Sequence, residues 1–239
     1  MNTIKLDHGK TLMVAHRGVS GIEKENTNAA FVAAGNRSYF GIETDVHRTL
    51  DGKFVCIHDD HTKRVAIDDL HVEETTFDTL RNLLLCDKNN EKGRTDLRIP
   101  TLAEYVQICK KYEKVGVLEL KNAFCKEDIV KIIDIIKGEE YLDGIIFISF
   151  SFENMLILRE LLPEHPCQFL TSEYTDDLED KLVANHLDLD VYYKVLTKER
   201  MDSLHSKGIK VNAWTVDDLE NGEKLVEWGI EYITSNILE

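Results

Sequence analysis

Proline is scarce: Pro100, Pro163 and Pro166 are the only three in 239 residues. No low-complexity stretch interrupts the chain, so nothing marks a linker between domains, and no repeat is visible by sequence identity. Long apolar runs are also missing. The longest, such as "GIIFISF" (144–150), have the length of a strand, well short of the ~20 residues of a membrane span. The first ten residues, "MNTIKLDHGK", hold no apolar region of a secretory signal. Positive charge is in deficit, with 29 Lys and Arg against 44 Asp and Glu and a formal net charge of −15. Such a chain repels nucleic acid and anionic membrane surfaces, and no Lys/Arg run offers a local exception. The expected partner is a small soluble molecule, with no nucleic acid and no stable membrane association. The oligomeric state is left open. The five cysteines (Cys56, Cys86, Cys109, Cys125, Cys167) are scattered and never spaced CxxC, which fits reduced structural thiols in a cytoplasmic protein.

What the chain does have is a rhythm. Short apolar runs recur at 11–16, 40–46, 53–58, 115–120, 144–150, 167–170, 187–193, 209–215 and 230–234. Helix-like stretches fall between them, at 26–36, 101–112, 126–138, 152–162, 198–208 and 217–229. Asn26 and Thr101 stand where N-caps belong, and Gly138, Gly208 and Gly229 where C-caps belong. Strands alternating with helices predict a parallel sheet with crossover helices. About eight strands in a chain of this length is the size of a TIM (β/α)₈ barrel. The alternative, a doubly wound open sheet, wants a Gly-rich phosphate loop after its first strand, and "AHRGVSG" is not one. We therefore expect an α/β barrel forming a single domain over 1–239.

Two irregularities are expected. Asp51-Gly52 reads as a two-residue hairpin turn after the second strand, placing His58 across from Asp45. Residues 59–98 show no clean strand and read as an inserted excursion over the barrel mouth, with a short helix near Thr76–Leu85.

In such a barrel, function sits at the C-terminal ends of the strands. The buried run "LMVA" ends on His16, Arg17 and Gly18. Glu43 and Asp45, spaced i, i+2, leave the second strand on one face, as do Glu119 and Lys121 on a later one. "KFVCIH" ends in His58. Taken singly, Glu43 and Asp45 could line a solvated edge, and Glu119 with Lys121 could be an ordinary ion pair. Together at one barrel mouth, three carboxylates repel one another and need a cation. An all-oxygen set suits one divalent cation, Mg²⁺ or Ca²⁺, with Mn²⁺ also admitted. Arg17 and Lys121 beside it call for an anion, which a phosphate satisfies. His16 and His58 can then serve as general acid and base at phosphorus.

The pieces "AHRG" (15–18), "ENT" (25–27), "IETDV" (42–46), "LDGKFVCIHDD" (50–60), "IPTL" (99–102), "LELK" (118–121), "SF" (151–152) and "VNAWTVDD" (211–218) occur in that order. The ordered set resembles the glycerophosphodiester phosphodiesterase family, in its short bacterial cytoplasmic form, over nearly the whole chain. The resemblance implies a TIM barrel and one divalent metal on Glu43, Asp45 and Glu119. It implies catalysis by His16 and His58, phosphate binding by Arg17 and Lys121, and packing of Trp214 against the glycerol. An ordinary core role for Trp214 is the bland alternative. The activity implied is hydrolysis of glycerophosphodiesters to sn-glycerol 3-phosphate and an alcohol, a step in lipid and glycerol metabolism. A phospholipase D-type hydrolase of lysophospholipids and a non-catalytic phosphoester-binding module are the alternatives. The chain departs from the family pattern at Lys24, where proline is usual, and at Ser235-Asn236, where an acidic residue is usual.

Overall fold

The structure, a computed structural model, describes residues 2–239. Nine strands form where the apolar runs predict them. They are β1 (Leu12–Ala15), β2 (Gly41–Arg48), β3 (Phe54–Cys56), β4 (Val115–Leu120), β5 (Ile145–Ser149), β6 (Cys167–Thr171), β7 (Asp188–Tyr192), β8 (Val211–Trp214) and β9 (Tyr232–Ser235). All except β3 pair in parallel, in the order β1-β9-β8-β7-β6-β5-β4-β2, and β2 pairs back onto β1 to close the barrel. Helices α1 (Asn28–Gly35), α3 (Leu102–Lys111), α4 (Lys126–Gly138), α5 (Phe152–Leu161), α6 (Leu178–Ala184), α7 (Lys198–Ser206) and α8 (Leu219–Glu227) cross from one barrel strand to the next. The expected (β/α)₈ barrel is the fold observed.

Local chemistry explains the elements. Helix α3 buries Leu102, Tyr105, Val106 and Cys109, one stripe at helical spacing, and starts on a capping box between Thr101 and Glu104. The cap of α1 is Thr27, whose hydroxyl accepts from the Ala30 N–H, and not Asn26 as the sequence predicts. Gly138 closes α4, but the left-handed turn expected there falls on Glu140 (φ 53°). Between barrel and helices lies the main core, with Phe31, Tyr105, Ile132, Leu158, Met201 and Leu225. Inside the barrel, Val14, Val117, Ile146, Ile148 and Leu170 form a second apolar cluster. No helix among the described residues is long and apolar enough to cross a membrane.

The hairpin differs from expectation by one residue. Val46 faces Cys56 and Arg48 faces Phe54, so Thr49 lies opposite Lys53 and the turn holds three residues, Leu50 to Gly52. Gly52 takes φ +75°, the left-handed position that such a three-residue loop requires. Asp45 consequently faces Ile57, whose N–H donates to the Asp45 carbonyl, and not His58.

The excursion at 59–98 contains α2 (Phe77–Asn82) and no extended strand. It carries its own apolar cluster, in which Val65, Val72, Leu80, Leu85 and Leu97 pack with Val55 and Ile57 from the β3 arm.

Candidate active site

The chain end of β1 answers why a buried strand stops on His-Arg-Gly. Arg17 (φ 53°) and Gly18 (φ +72°) both turn left-handed, lifting the chain off the barrel rim. A Cβ on Gly18 would meet the Ala30 backbone at 2.6 Å, so only glycine fits against α1. The turn aims two successive N–H groups at one residue. Arg17 N donates to Glu43 Oε2 at 2.7 Å, and Gly18 N to the Glu43 carbonyl at 3.2 Å.

Three buried carboxylates meet beside it. The i, i+2 spacing puts Glu43 and Asp45 on one face of β2, and Asp45 lies level with Glu119 on β4. Carboxylate oxygens of all three lie within 4.8 Å of one another. Burial and the neighbouring Asp45 push the Glu43 carboxyl well above the usual range. The same two causes raise Glu119 to about 8. Asp45 resists its own burial because Arg17 and Lys121 hold it well below the ordinary value. Asp45 Oδ1 and Glu119 Oε1 are shielded from water and lack a hydrogen bond among the described residues. Lys121 Nζ forms ion pairs with Glu119 Oε1 at 2.9 Å and Asp45 Oδ1 at 3.5 Å. Three buried carboxylates with a single lysine between two of them, and two glutamates pushed toward protonation, are what an oxygen-ligated divalent cation satisfies, so the three residues fit one.

His16 and His58 face the same small cleft, which Arg17, Glu43, Glu119 and Trp214 also line. His16 Nε2 stands 3.9 Å from Glu43 Oε2, and its Nδ1 contacts Asn236 Oδ1 at 2.7 Å. Burial first, then Arg17, lowers His16 to about 4. His58 contacts Asp59 Oδ1 through Nδ1 at 2.5 Å, and burial lowers it as well. The Arg17 guanidinium pairs with Glu25 at 2.9 Å and reaches Asp45 at 3.6 Å. Trp214 ends β8, half-buried on the cleft wall and edge-on to Phe150 with centroids 5.7 Å apart. It lines the cleft and also packs against the apolar cluster inside the barrel. Every residue singled out in the sequence therefore converges on one barrel mouth.

The glycerophosphoryl diester phosphodiesterase family profile matches residues 16–238. The chain belongs to this family. A glycerophosphodiester phosphodiesterase of Caldanaerobacter subterraneus subsp. tengcongensis is 28% identical over 230 residues, spanning 95% of this chain and 94% of that protein. One of Bacillus subtilis (strain 168) is 26% identical, spanning 97% and 85%. Among solved structures, an Oleispira antarctica phosphodiesterase in complex with its product sn-glycerol-3-phosphate superposes with a TM-score of 0.88 at 25% identity, covering 98% of this chain and 96% of that one. The names of these relatives agree with the enzyme class that the ordered motifs imply.

Several residues of this phosphodiesterase-family site escaped sequence reasoning. In the "ENT" motif, Glu25 pairs with Arg17, Asn26 donates to Asp45 Oδ2 at 2.7 Å while accepting from Thr44, and Thr27 caps α1. Arg64, from the excursion, reaches Glu25 at 2.5 Å and Asp59 at 2.6 Å. These charge-assisted bonds hold Glu25 and Asp59 at about 2 despite their burial. Asn236 donates to Asp217 Oδ2 at 2.6 Å. Asp190, on β7, also lines the cleft and belongs to none of the motifs quoted above.

Proposed function

We propose that this protein hydrolyses glycerophosphodiesters, such as glycerophosphocholine, glycerophosphoethanolamine and glycerophosphoglycerol, to sn-glycerol 3-phosphate and an alcohol. The observation that carries the reading is the meeting of Glu43, Asp45 and Glu119 within 4.8 Å, with both imidazoles and Arg17 lining the same cleft and Lys121 ion-paired to Glu119 and Asp45. Family membership, and the product named in the Oleispira complex, support it.

Glu43, Asp45 and Glu119 would hold one divalent cation, Mg²⁺ or Ca²⁺, which when bound supplies charge neutralisation at the phosphoryl oxygens. Arg17 and Lys121 bind the phosphate, the first as a planar fork and the second as a point charge. Each histidine has its Nδ1 committed to an acceptor oxygen, so both Nε2 atoms are left for the substrate. An attacking oxygen, from water or from the glycerol 2-hydroxyl, gives its proton to one imidazole as it bonds to phosphorus. The P–O bond to the alcohol breaks, and the departing oxygen takes a proton from the other imidazole. Where the glycerol hydroxyl attacks first, water opens the cyclic phosphate by the same exchange in reverse, and one water is consumed overall. Behind His16 stands a neutral amide and behind His58 a carboxylate. His58 is therefore the ring better supported as the imidazolium acid, and His16 as the base.

The reading includes residues 1–239 acting as one domain, working in the cytoplasm on small soluble diesters. Five cysteines, all free, support a reducing compartment. The test is kcat/KM for glycerophosphocholine against lysophosphatidylcholine. Glycerophosphocholine is expected to be the better substrate. A preference of about tenfold or more for the lysophospholipid, ~1.4 kcal/mol in transition-state binding, would establish the lipid hydrolase instead.

A further inference from the structure

Asp190 Oδ1 and His47 Nδ1 are both shielded from water with no hydrogen-bond partner among the described residues, and neither residue belongs to a motif quoted above. His47 differs from Asp190 in having its second polar atom engaged beside the site. It is fully buried near the end of β2, two residues beyond Asp45 and on the same strand face. Its Nε2 lies 3.1 Å from the His58 carbonyl oxygen. A carbonyl only accepts, so Nε2 carries the proton and donates it.

The main chain of His58 has little else to hold it. Strand β3 ends at Cys56, and the last rung of the hairpin is the Ile57 N–H donating to the Asp45 carbonyl at 3.1 Å. The next main-chain bond comes at Asp60, whose carbonyl accepts from the Val72 N–H at 2.8 Å. Between them the backbone of His58 and Asp59 makes one hydrogen bond among the described residues, the one from His47. Strand β2 therefore grips the outgoing chain at two successive residues, through the Asp45 carbonyl and His47 Nε2. The His47 ring is itself held. Its backbone pairs with Val55 across the hairpin, and Nδ1 stands 3.8 Å from Glu73 Oε1 and 4.0 Å from Asp60 Oδ1. Asn122, which follows Lys121, donates to the same two oxygens at 2.7 and 3.4 Å.

We propose that His47 is a positioning residue, which sets the His58 imidazole against the carboxylate cluster by pinning the His58 carbonyl to the strand that carries Glu43 and Asp45. The inference rests on the diesterase reading above, in which His58 delivers a proton to the departing alcohol. One strand measures the spacing, because the eight residues of β2 include both cluster carboxylates and the clamp. Asp59 and Arg64 orient the His58 ring from the exposed side, while His47 fixes its main chain from the buried side. His47 has no hydrogen bond or ion pair to Glu43, Asp45 or Glu119 among the described residues, so it acts through His58. Without the clamp, His58 and Asp59 hang between the Ile57 and Asp60 bonds. A misplacement of about 1 Å in a proton donor costs on the order of 10²-fold in rate.

The test is steady-state kinetics on glycerophosphocholine at saturating divalent cation, with cation affinity measured beside it. His47→Phe keeps a ring and removes the N–H. It should lower kcat by about tenfold or more, with KM and cation affinity near wild type. His47→Gln carries an amide nitrogen at the reach of Nε2 and should recover most of the loss. His47→Asn, whose amide reaches only as far as Nδ1, should not. In a His58→Ala background His47→Phe should cost nothing further, because the clamp works through the ring that is missing. Wild-type kcat in His47→Phe, or the same further loss with His58 absent, overturns the proposal. Equal kcat in His47→Gln and His47→Asn overturns it too, which keeps the test decisive if His47→Phe does not fold. Wild type that releases no sn-glycerol 3-phosphate overturns the diesterase reading itself, whereas release by wild type with an indifferent His47→Phe overturns the clamp alone.

Discussion

The Asn236 amide oxygen accepts from His16 Nδ1 at 2.7 Å, and the direction of that bond is fixed from behind. Asn236 Nδ2 lies 2.6 Å from Asp217 Oδ2, and a carboxylate only accepts, so the amide must present its oxygen to His16. His16 then carries its proton on Nδ1 and a lone pair on Nε2, toward the cleft. Asn236→Ala should lower kcat on the order of 10- to 100-fold, the usual cost of losing the partner that orients a working histidine, with little change in KM. A variant with wild-type kcat would show that His16 holds its tautomer without Asn236.

Arg64 ties two otherwise separate loops to the site. It bonds Glu25, which holds Arg17, and Asp59, which holds His58. Its side chain is 44% exposed, so its removal should cost little stability. Arg64→Ala is expected to lower kcat/KM by about tenfold or more at nearly unchanged Tm, while Arg64→Lys, a point charge that cannot fork, restores only part. Kinetics indistinguishable from wild type would reduce Arg64 to a surface ion pair.

These two contacts mark where sequence reading stops. The metal-fitting trio was legible because i, i+2 spacing on a strand fixes the face by geometry alone. The strands were legible because their apolar runs are continuous, as parallel strands covered on both sides demand. Helix α6, "LEDKLVA", was missed because it is short and polar, and its cap residue Asp177 makes no side-chain capping bond. The hairpin register slipped by one because Asp-Gly serves two-residue and three-residue turns alike. Arg64 meets Glu25 across 39 positions, and Asn236 meets His16 across 220, so loop paths decide both. Asp190 shares a strand face with Asp188, which accepts from the Lys210 N–H at 2.9 Å. Nothing in "DLDVY" separates the satisfied acid from the unsatisfied one.

Cation binding and pH should be coupled through Glu119. Its folded value of about 8 stands above an ordinary 4.5, so between those pH values the cation-free folded state keeps a proton that the unfolded chain releases. That contribution to stability is full below about 4.5 and lost as pH rises toward 8. A cation replaces the proton, so the rise in Tm on adding Mg²⁺ or Ca²⁺ should be larger at pH 8 than at pH 5. In chelator, Glu119→Gln should show a flatter Tm profile over this window than wild type. Superimposable profiles would remove Glu119 from the coupling.

His16→Ala and His58→Ala should each lower kcat by roughly 10²–10⁴-fold. The double variant should lose far less than the product of the two, because half of a proton-exchanging pair is nearly as idle as none. Multiplicative losses would mean that the rings act on separate steps.

The most direct test is release of sn-glycerol 3-phosphate from glycerophosphocholine by purified protein, before and after EDTA, with divalent cation then restored. The account predicts release that EDTA abolishes and Mg²⁺ or Ca²⁺ brings back, and no restoration in Glu43→Ala or Glu119→Ala. Undiminished release in excess chelator would contradict it.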